Sequence, residues 1–319
     1  MTLAEQIELA CLLEATARKA GNVHPAAAFD DLDYADFVDA AQAVAEPLSQ
    51  TREIGLGRAI LSAMQTTRAA RVRTNANLGI VLLLAPLAAV PDGISLNEGL
   101  RDVLSHTTVE DAECVYEAIR LSRPNGLGRT ESQDVNTTPT VTLRDAMALA
   151  AGRDRIAEQY ATDFAFVLNT ALPWLCHDWP WLGLCPLAIF GRTGMRNEVP
   201  IAPWESAIIK LQLRLMADAP DSLIVRKCGE KIGEQVRRRA AEMMDLDWPQ
   251  RLQSWSRFDE LDLWLRADGH RRNPGTTADL IAATLFAVMR AGLIEFPSRE
   301  RILQHAEQLL FSPSKVRQP

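Results

Sequence analysis

Apolar residues recur at intervals of three and four positions along almost the whole chain, which is the spacing of one face of an α-helix. No segment alternates apolar and polar residues for long, and no Asn-Gly turn joins two β-branched runs. The sequence therefore predicts an all-α protein of about a dozen helices. We expect one compact domain over residues 1–312, with polar loops that converge on one site, and a polar tail, 313–319.

Capping residues, glycines and prolines set the limits that we expect for these helices. Thr142 with Asp145 and Thr276 with Asp279 have the spacing of a capping box. Residues 172–200 are rich in proline and tryptophan, so an extended excursion is expected there instead of a regular helix. Besides an N-terminal helix and one that starts near Thr142, the predicted helices are 34–45, 54–70, 80–90, 96–105, 109–122, 204–217, 222–245, 249–267, 276–291 and 299–311.

Composition excludes several classes of protein. Of 319 residues, 47% are hydrophobic and 24% are charged, and the net charge of −7 argues against a nucleic-acid-binding surface. No run of about twenty apolar residues is present, so no membrane span is expected. The five cysteines are scattered and form no CxxC pair, which favours reduced thiols and a cytoplasmic location.

A basic stretch follows the first helix. Glu14 falls on the same helical face as the apolar Ile7 and Cys11, where a buried carboxylate needs a partner or a ligand. Arg18, one turn later, is the local candidate for that partner. Lys19, Asn22 and His24 follow around Gly21, so polar groups accumulate where the helix breaks.

Four aspartates come next: Asp30, Asp31, Asp33 and Asp36. Such a run is often a solvated helix start. However, Mg²⁺ takes one or two protein carboxylates and keeps several waters. A basic, amide-rich loop beside an acidic cluster is what a Mg–nucleoside-triphosphate site requires, so both interpretations stay open at this point.

Other polar loops could likewise be either ligand-binding sites or ordinary helix starts. Arg73, Thr74 and Asn75 lead into a helix that starts after Asn77, so this loop could hold an anion at the positive helix end, or Asn77 could be an N-cap only. Residues 273–277 could likewise either hold an anion at a helix start or serve only as a cap. Asp221 with Arg226 and Lys227 suits an exposed ion network. Neither a GxxxxGK[ST] loop nor a GxGxxG turn after a strand is present, which disfavours the common phosphate-binding folds.

Seven motifs in these loops and helices resemble one family. They are LLEATARKAGNVHP, FDDLDYADF, RTNANLGIVLLLAPL, NGLG, DAMALAAGRDRIAEQYA, PDSLIVRKCGE and NPGTTADLIAATLF, and they extend from about residue 8 to residue 290. In this order they are similar to the triphosphoribosyl-dephospho-coenzyme-A synthase family. The resemblance implies an α-helical enzyme that joins C1 of the ATP ribose to a ribose hydroxyl of 3′-dephospho-coenzyme A and releases adenine.

The resemblance also implies roles for individual residues. Glu14 and Lys19 would be catalytic, and Asp31 and Asp33 would bind Mg²⁺ together with ATP. The residue that protonates adenine is not assigned. The expected nucleotide- and phosphate-binding residues are Asn22, Arg73, Thr74, Asn75, Asn77, Gly79, Lys227, Asn273, Thr276 and Asp279.

Two departures from the family pattern leave the acceptor open. The family usually has Pro-Lys-Pro-Gly where this chain has residues 18–21 (RKAG), and its citrate-lyase branch has His-Lys in place of Asn77-Leu78. A Mg–ATP-dependent transferase that acts on another cofactor precursor, such as one in pterin-linked one-carbon metabolism, is therefore an alternative. A second alternative is a noncatalytic helical protein that binds a nucleotide or cofactor. A homodimer is open as well.

Overall fold

The computed structural model describes residues 1–70, 77–122, 133–182 and 199–311. Within these ranges the chain forms sixteen α-helices, one π-helical turn and one four-residue strand, β1 (Ala267–His270). The predicted all-α class is confirmed. The predictions for residues 71–76 and 123–132, for most of 183–200 and for the tail lie outside the described residues.

The helices have the following limits. The first nine are α1 (Leu3–Thr16), α2 (Tyr34–Ser49), α3 (Thr51–Ile54), α4 (Leu56–Ala69), α5 (Leu78–Ala89), α6 (Leu96–Ser105), α7 (Val109–Ser122), α8 (Leu143–Ala148) and α9 (Arg155–Ala161). After the π-turn (Val167–Ala171) come α10 (Leu172–Leu182), α11 (Pro203–Asp218), α12 (Ser222–Cys228), α13 (Glu230–Asp245), α14 (Leu252–Arg266), α15 (Gly275–Arg290) and α16 (Arg299–Phe311).

The chain divides into two compact units. Unit 1 comprises Met1–Cys11, Ala35–Leu172 and Ala282–Gly292, and unit 2 comprises Leu12–Tyr34, Pro173–Ile281 and Leu293–Pro319. The organisation of residues 1–312 as one domain stays a prediction. Among the described residues, no helix combines the length and the apolar character needed to cross a membrane.

Unit 1 is built around α5, whose residues are almost all apolar and buried. A helix that is apolar on every side must be surrounded by other elements, and α3, α4, α6 and α9 contact it. Pro86 lies inside α5 and has no N–H to donate to the Leu82 carbonyl oxygen. The Tyr160 hydroxyl donates to that oxygen at 2.6 Å, so the bond that proline removes is replaced from α9.

Unit 2 has its own apolar core, in which α11 packs against α13, and α13 also contacts α12 and α14. Trp248, fully buried, lies at 5.2 Å from the Trp255 ring and 5.7 Å from the Phe258 ring. Ala20 from the loop after α1 and Leu265 near the end of α14 belong to the same cluster. This loop is therefore anchored in the core of unit 2.

Several predicted limits required correction. The predicted helix 222–245 is interrupted at Gly229, whose φ of 85° is open to glycine but costly for other residues. A turn at residues 149–154 separates α8 from α9. Thr276 lies inside the first turn of α15, so it is not the N-cap. The N-cap predicted at Thr142 is confirmed, since its side chain accepts from the Asp145 N–H, while the Asp145 carboxylate accepts from the Thr142 hydroxyl at 2.8 Å.

The expectation of an extended segment from residue 172 was wrong for residues 172–182, which form α10. A proline inside an α-helix collides with the carbonyl group four residues earlier. Here a π-turn precedes Pro173, and the Leu172 N–H donates to the Val167 carbonyl oxygen five residues back. The wider turn lets the helix continue past the proline.

Candidate functional site

The basic loop, residues 17–24, begins where α1 ends at Thr16. The Thr16 hydroxyl turns back to the Leu12 carbonyl oxygen at 2.6 Å and also contacts the Tyr34 hydroxyl. Gly21 has a φ of 74°, and a Cβ at this position would lie 2.8 Å from Leu265 Cβ. Glycine is therefore required here both by backbone conformation and by space.

Glu14 and Lys19 form a buried ion pair across the end of α1. The Lys19 Nζ lies 2.9 Å from Glu14 Oε1, and the Lys19 side chain is completely buried. Lys19 also donates to the Glu14 carbonyl oxygen and, at 3.4 Å, to that of Ala17. The helix ends before Arg18, so the local pairing of Glu14 with Arg18 does not form.

Arg18 pairs instead with Glu205 of α11. Its Nε and Nη2 donate to the two carboxylate oxygens at 2.6 and 2.8 Å, and its own backbone N–H donates to Oε1 at 3.0 Å. Its remaining donors reach the Val199 and Pro200 carbonyl oxygens. Burial alone would raise the Glu205 pKa, but the Arg18 guanidinium and His305 outweigh burial and hold this pKa well below its ordinary value.

Asn22 connects the basic loop to the residues before α15. Its Nδ2 donates to Asn273 Oδ1 at 2.6 Å, and its Oδ1 accepts from Gln212 Nε2 at 2.9 Å. Gln212 also bonds both the N–H and the carbonyl oxygen of Ala20. The predicted binding residues Asn22 and Asn273 are thus in direct contact with each other.

Arg266, at the end of α14, also binds the basic loop. Its Nη2 donates to the Asn22 carbonyl oxygen, and its Nε donates to Asp262 Oδ1 at 2.8 Å. The same Asp262 oxygen accepts the Gly21 N–H at 2.8 Å. The Arg266 guanidinium also lies 5.5 Å from the centre of the Phe29 ring.

His24 is a buried, neutral imidazole at the end of the basic loop. Burial lowers its pKa well below the ordinary value, and the charges of Arg266, Arg18 and Lys19 lower this pKa further. Its Nδ1 accepts the Ala26 N–H at 3.2 Å. The ring proton therefore resides on Nε2.

The acidic segment, residues 30–33, is more exposed. It forms a turn closed by the Phe29 N–H, which donates to the Leu32 carbonyl oxygen at 2.9 Å. Asp31 lies 3.2 Å from His270 Nδ1, and His270 packs edge-on against Phe29. Asp33 is partly buried. In the described ranges no cluster of three or more His, Cys, Asp or Glu residues could bind a metal, whereas two carboxylates suffice for Mg²⁺ that is also bound to phosphate.

One interpretation of the sequence placed Asp221 in an exposed ion network, and the structure contradicts it. The carboxylate is buried, and its Oδ1 caps α12 through the Leu223 and Ile224 N–H groups. Its Oδ2 accepts from the N–H and hydroxyl groups of Thr277 in α15. Asp221 thus occupies part of the α15 N-terminus, and the hydroxyl of the predicted Thr276 contacts Ser222 at 3.0 Å.

Lys227 has a partly buried ammonium group in the same unit. Burial and the neighbouring Arg226 lower its pKa, while the carboxylates of Asp221 and Asp31 act in the opposite direction. The predicted Asp279 lies in the second turn of α15 and makes contacts of its own.

Two of the predicted nucleotide-binding residues that the structure describes belong to unit 1. Asn77 is at the N-cap position of α5, but its side chain makes no capping bond and donates to Thr67 Oγ1 at 3.3 Å. Gly79 lies in the first turn of the same helix. The predicted Arg73, Thr74 and Asn75 lie outside the described residues.

The sequence patterns did not identify four residues that hold the basic loop. Glu205, Gln212, Asp262 and Arg266 all lie on long helices, where a polar residue is usually taken to face solvent. Their only sequence signal is weak: a polar residue interrupts a mostly apolar stripe on α11 and on α14.

Comparison with known proteins bears on the whole chain. The sequence profile of the ATP:dephospho-CoA triphosphoribosyl transferase family matches residues 1–295. The fold resembles the crystal structure of a protein from Archaeoglobus fulgidus that is assigned as a triphosphoribosyl-dephospho-CoA synthase. The TM-score is 0.56 and the identity 22%, over 80% of this chain and 99% of the other. No curated protein matches the chain in sequence.

Proposed function

Because the chain belongs to the ATP:dephospho-CoA triphosphoribosyl transferase family, we propose that the basic loop and the acidic segment form its ATP site. The protein is a transferase that moves the triphosphoribosyl group of ATP to dephospho-CoA. One observation carries the location. Asn22 and Asp31, from two separate family motifs, both contact the segment at residues 270–273 in unit 2: Asn22 donates to Asn273 of a third motif, and Asp31 lies 3.2 Å from His270.

The chemistry that this site must support is substitution at C1 of the ATP ribose. The bond from C1 to the adenine nitrogen breaks, and a bond from C1 to the acceptor hydroxyl oxygen forms. The hydroxyl proton leaves, and adenine takes up a proton. Positive charge develops on the ribose, and a nearby carboxylate stabilises that charge.

Glu14 is the carboxylate that we assign to this role. It is buried beside the basic loop, where a charge interacts more strongly than it does in water. One oxygen is held by Lys19, which compensates the buried charge and fixes the position of the group. We assign the second oxygen to the developing positive charge or to the proton of the attacking hydroxyl.

We assign the acidic segment to the triphosphate group of ATP. Asp31 and Asp33 offer two hard oxygen donors, and Asp31 is about half exposed, so a ligand can reach it. These two residues would hold Mg²⁺, which neutralises part of the triphosphate charge when it is bound. Lys227, a partly buried cation of the same unit, is the residue that we assign to the remaining phosphate charge. Asn22, Asn273, Thr276 and Asp279 complete the nucleotide-binding set proposed for unit 2. For Asn77 and Gly79 of unit 1, nucleotide binding stays a separate proposal.

The product distinguishes this reaction from attack at phosphorus. Purified protein with Mg–ATP and 3′-dephospho-CoA should release free adenine and form a heavier coenzyme-A adduct, both measured by chromatography with mass detection. ADP or AMP as the nucleotide product, with no adenine under any acceptor, would contradict the transferase function. Absence of any ATP-derived product would favour a noncatalytic nucleotide-binding protein.

The acceptor should be tested separately, because Asn77-Leu78 replaces the His-Lys pair of the citrate-lyase branch. The Asn77 amide is buried against Thr67 and offers no positive charge. Other cofactor precursors, including pterin-linked ones, belong in the same assay. Adenine release with one of them in place of dephospho-CoA would keep the mechanism and change the acceptor. We also propose a cytoplasmic location, in line with the free thiols of the four described cysteines.

A further inference from the structure

Three buried cations lie at the basic loop, and their hydrogen bonds differ. Lys19 has an acceptor for each of its three protons, all from Glu14 and Ala17. Arg18 donates from Nε, Nη1 and Nη2 to Glu205 and to two carbonyl oxygens. Arg266 donates from Nε and Nη2, but its buried Nη1 has no acceptor among the described residues.

An unpaired guanidinium nitrogen in a buried position is unfavourable, because the desolvated N–H groups are not compensated. Arg266 is only 8% exposed, so bulk water does not supply the missing acceptor. The side chain is held from both sides, by Asp262 and by the Asn22 carbonyl oxygen, and therefore cannot turn away to find one. A ligand atom that accepts two N–H groups would satisfy this nitrogen.

The surroundings indicate which kind of ligand atom fits. His24, whose pKa is lowered by burial and by the Arg266 charge, has its proton on Nε2, so this N–H is a second donor from the basic loop. An unpaired nitrogen with a full positive charge and a neutral N–H donor from the basic loop suit an oxyanion. The Phe29 ring also lies against the guanidinium. His270 contacts both Phe29 and Asp31, so the guanidinium and the acidic segment share these neighbours.

We propose that Arg266 binds a phosphate oxygen of the ATP triphosphate through Nη1, with His24 Nε2 as a second donor. This inference rests on the proposed ATP site and adds two residues to it. The triphosphate would then lie between the metal-binding carboxylates of the acidic segment and the donors of the basic loop. Asp262, which carries the charge opposite to Arg266, acts as a positioning residue.

Binding without turnover tests this proposal. Calorimetric titration of the full-length protein with inorganic tripolyphosphate, ATP and adenosine separates phosphate contacts from base contacts. Arg266→Gln should weaken tripolyphosphate and ATP binding about tenfold to a hundredfold, since it removes a charge-assisted bond. It should leave adenosine binding within about twofold of the wild-type value.

Arg214→Gln is the matched control. Arg214 is also in unit 2, has a buried Nε without an acceptor among the described residues, and pairs with the buried Asp178. It lies outside the basic loop, so its removal should not change tripolyphosphate affinity. Equal losses in the two variants, or wild-type tripolyphosphate affinity in Arg266→Gln, would overturn the proposal. So would absence of tripolyphosphate binding to the wild-type protein.

Asp262→Asn decides the question if Arg266→Gln fails to fold. The asparagine keeps an oxygen for the Gly21 and Arg266 donors and removes only the negative charge beside Arg266. Tripolyphosphate should bind several-fold tighter to this variant, whereas unchanged or weaker binding would refute the role of Arg266. If tripolyphosphate binds as expected but no adenine is released in the activity assay, the anion site is supported and the transferase function is contradicted. The failure of one proposal can therefore be told from the failure of the other.

Discussion

The basic loop and the acidic segment are adjacent in the sequence, but they are held in different ways. The basic loop takes its hydrogen bonds from α11 and α14, and its key side chains are buried. The acidic segment closes its own turn, and Asp31 contacts a partly exposed His270. The basic loop is therefore held in place by the helices around it, whereas the acidic segment depends mainly on its own turn and is more exposed.

This difference has an energetic consequence. Changes in the basic loop leave buried charges or misplaced backbone, so they should reduce the stability of the fold. Changes in the acidic segment remove a partly exposed carboxylate, so they should affect ligand binding and leave stability nearly unchanged. Three variants test this separation, from the largest expected effect to the smallest.

Glu205→Gln should have the largest effect on stability. It leaves the buried Arg18 guanidinium without a compensating charge, which typically costs about 3–5 kcal/mol of unfolding free energy. Glu260→Gln is the matched control, because the Arg257–Glu260 pair in the same unit is exposed and should be worth less than about 1 kcal/mol. Urea denaturation measures both, and similar losses would show that the Arg18–Glu205 pair does not support the basic loop.

The same variant gives a pH test. The folded-state pKa of Glu205 lies below its unfolded value, so folding favours the ionised carboxylate. Its stabilisation is therefore complete above the unfolded pKa of about 4.3 and is lost as the pH falls toward the folded pKa. Wild-type stability should decrease on acidification below about pH 4.3 more steeply than that of Glu205→Gln. Parallel pH profiles would contradict this assignment.

Gly21→Ala should have the next largest effect. The positive φ costs roughly 1–2 kcal/mol for a residue with a Cβ, and the overlap with Leu265 adds about 1–3 kcal/mol. Gly269→Ala is the control, since Gly269 also has a positive φ but no atom within 4 Å of the position that the added methyl group would take. The difference in urea midpoint between the two variants isolates the packing term. No difference would mean that the loop can move away from α14 at little cost.

Asp31→Asn should have the smallest effect on stability and a clear effect on binding. Its contact with His270 is partly exposed, so the unfolding free energy should change by less than about 1 kcal/mol. Mg–ATP affinity should fall about tenfold, because one hard oxygen donor is lost. Asp30→Asn, at the exposed neighbouring position, should leave affinity unchanged. Equal Mg–ATP affinity in both variants would identify the segment as a solvated helix start.

Helix positions were largely predictable, because periodicity and caps act over a few residues. The helices 96–105, 109–122 and 299–311 have the predicted limits. Residues 172–182 were not predictable from proline content alone, since the π-turn that accommodates Pro173 has no simple sequence signature. The partner of Glu14 was not predictable either: Arg18 was the local candidate under the i,i+4 rule, but that rule applies only within a helix, α1 ends at Thr16, and Lys19 pairs with Glu14 instead.

The candidate site was predictable in its loops but not in its contacts. The motif residues Asn22 and Asn273 were expected from the resemblance, and they contact each other. Arg266 was not expected, because its importance depends on which donors remain unpaired after folding. That property belongs to the arrangement of several helices and cannot be read from one segment.

The sequence by itself determined the all-α class, most helix limits, the polar loops and the family. These follow from local spacing, capping chemistry and motifs, each of which involves residues close together along the chain. Only the tertiary structure decided that Arg18 pairs with Glu205, that Gln212 and Asp262 hold the loop, and that Arg266 keeps an unused donor among the described residues. The physical reason is that buried charges and hydrogen-bond donors take their partners from whatever the fold brings near them, and those partners lie far away in sequence.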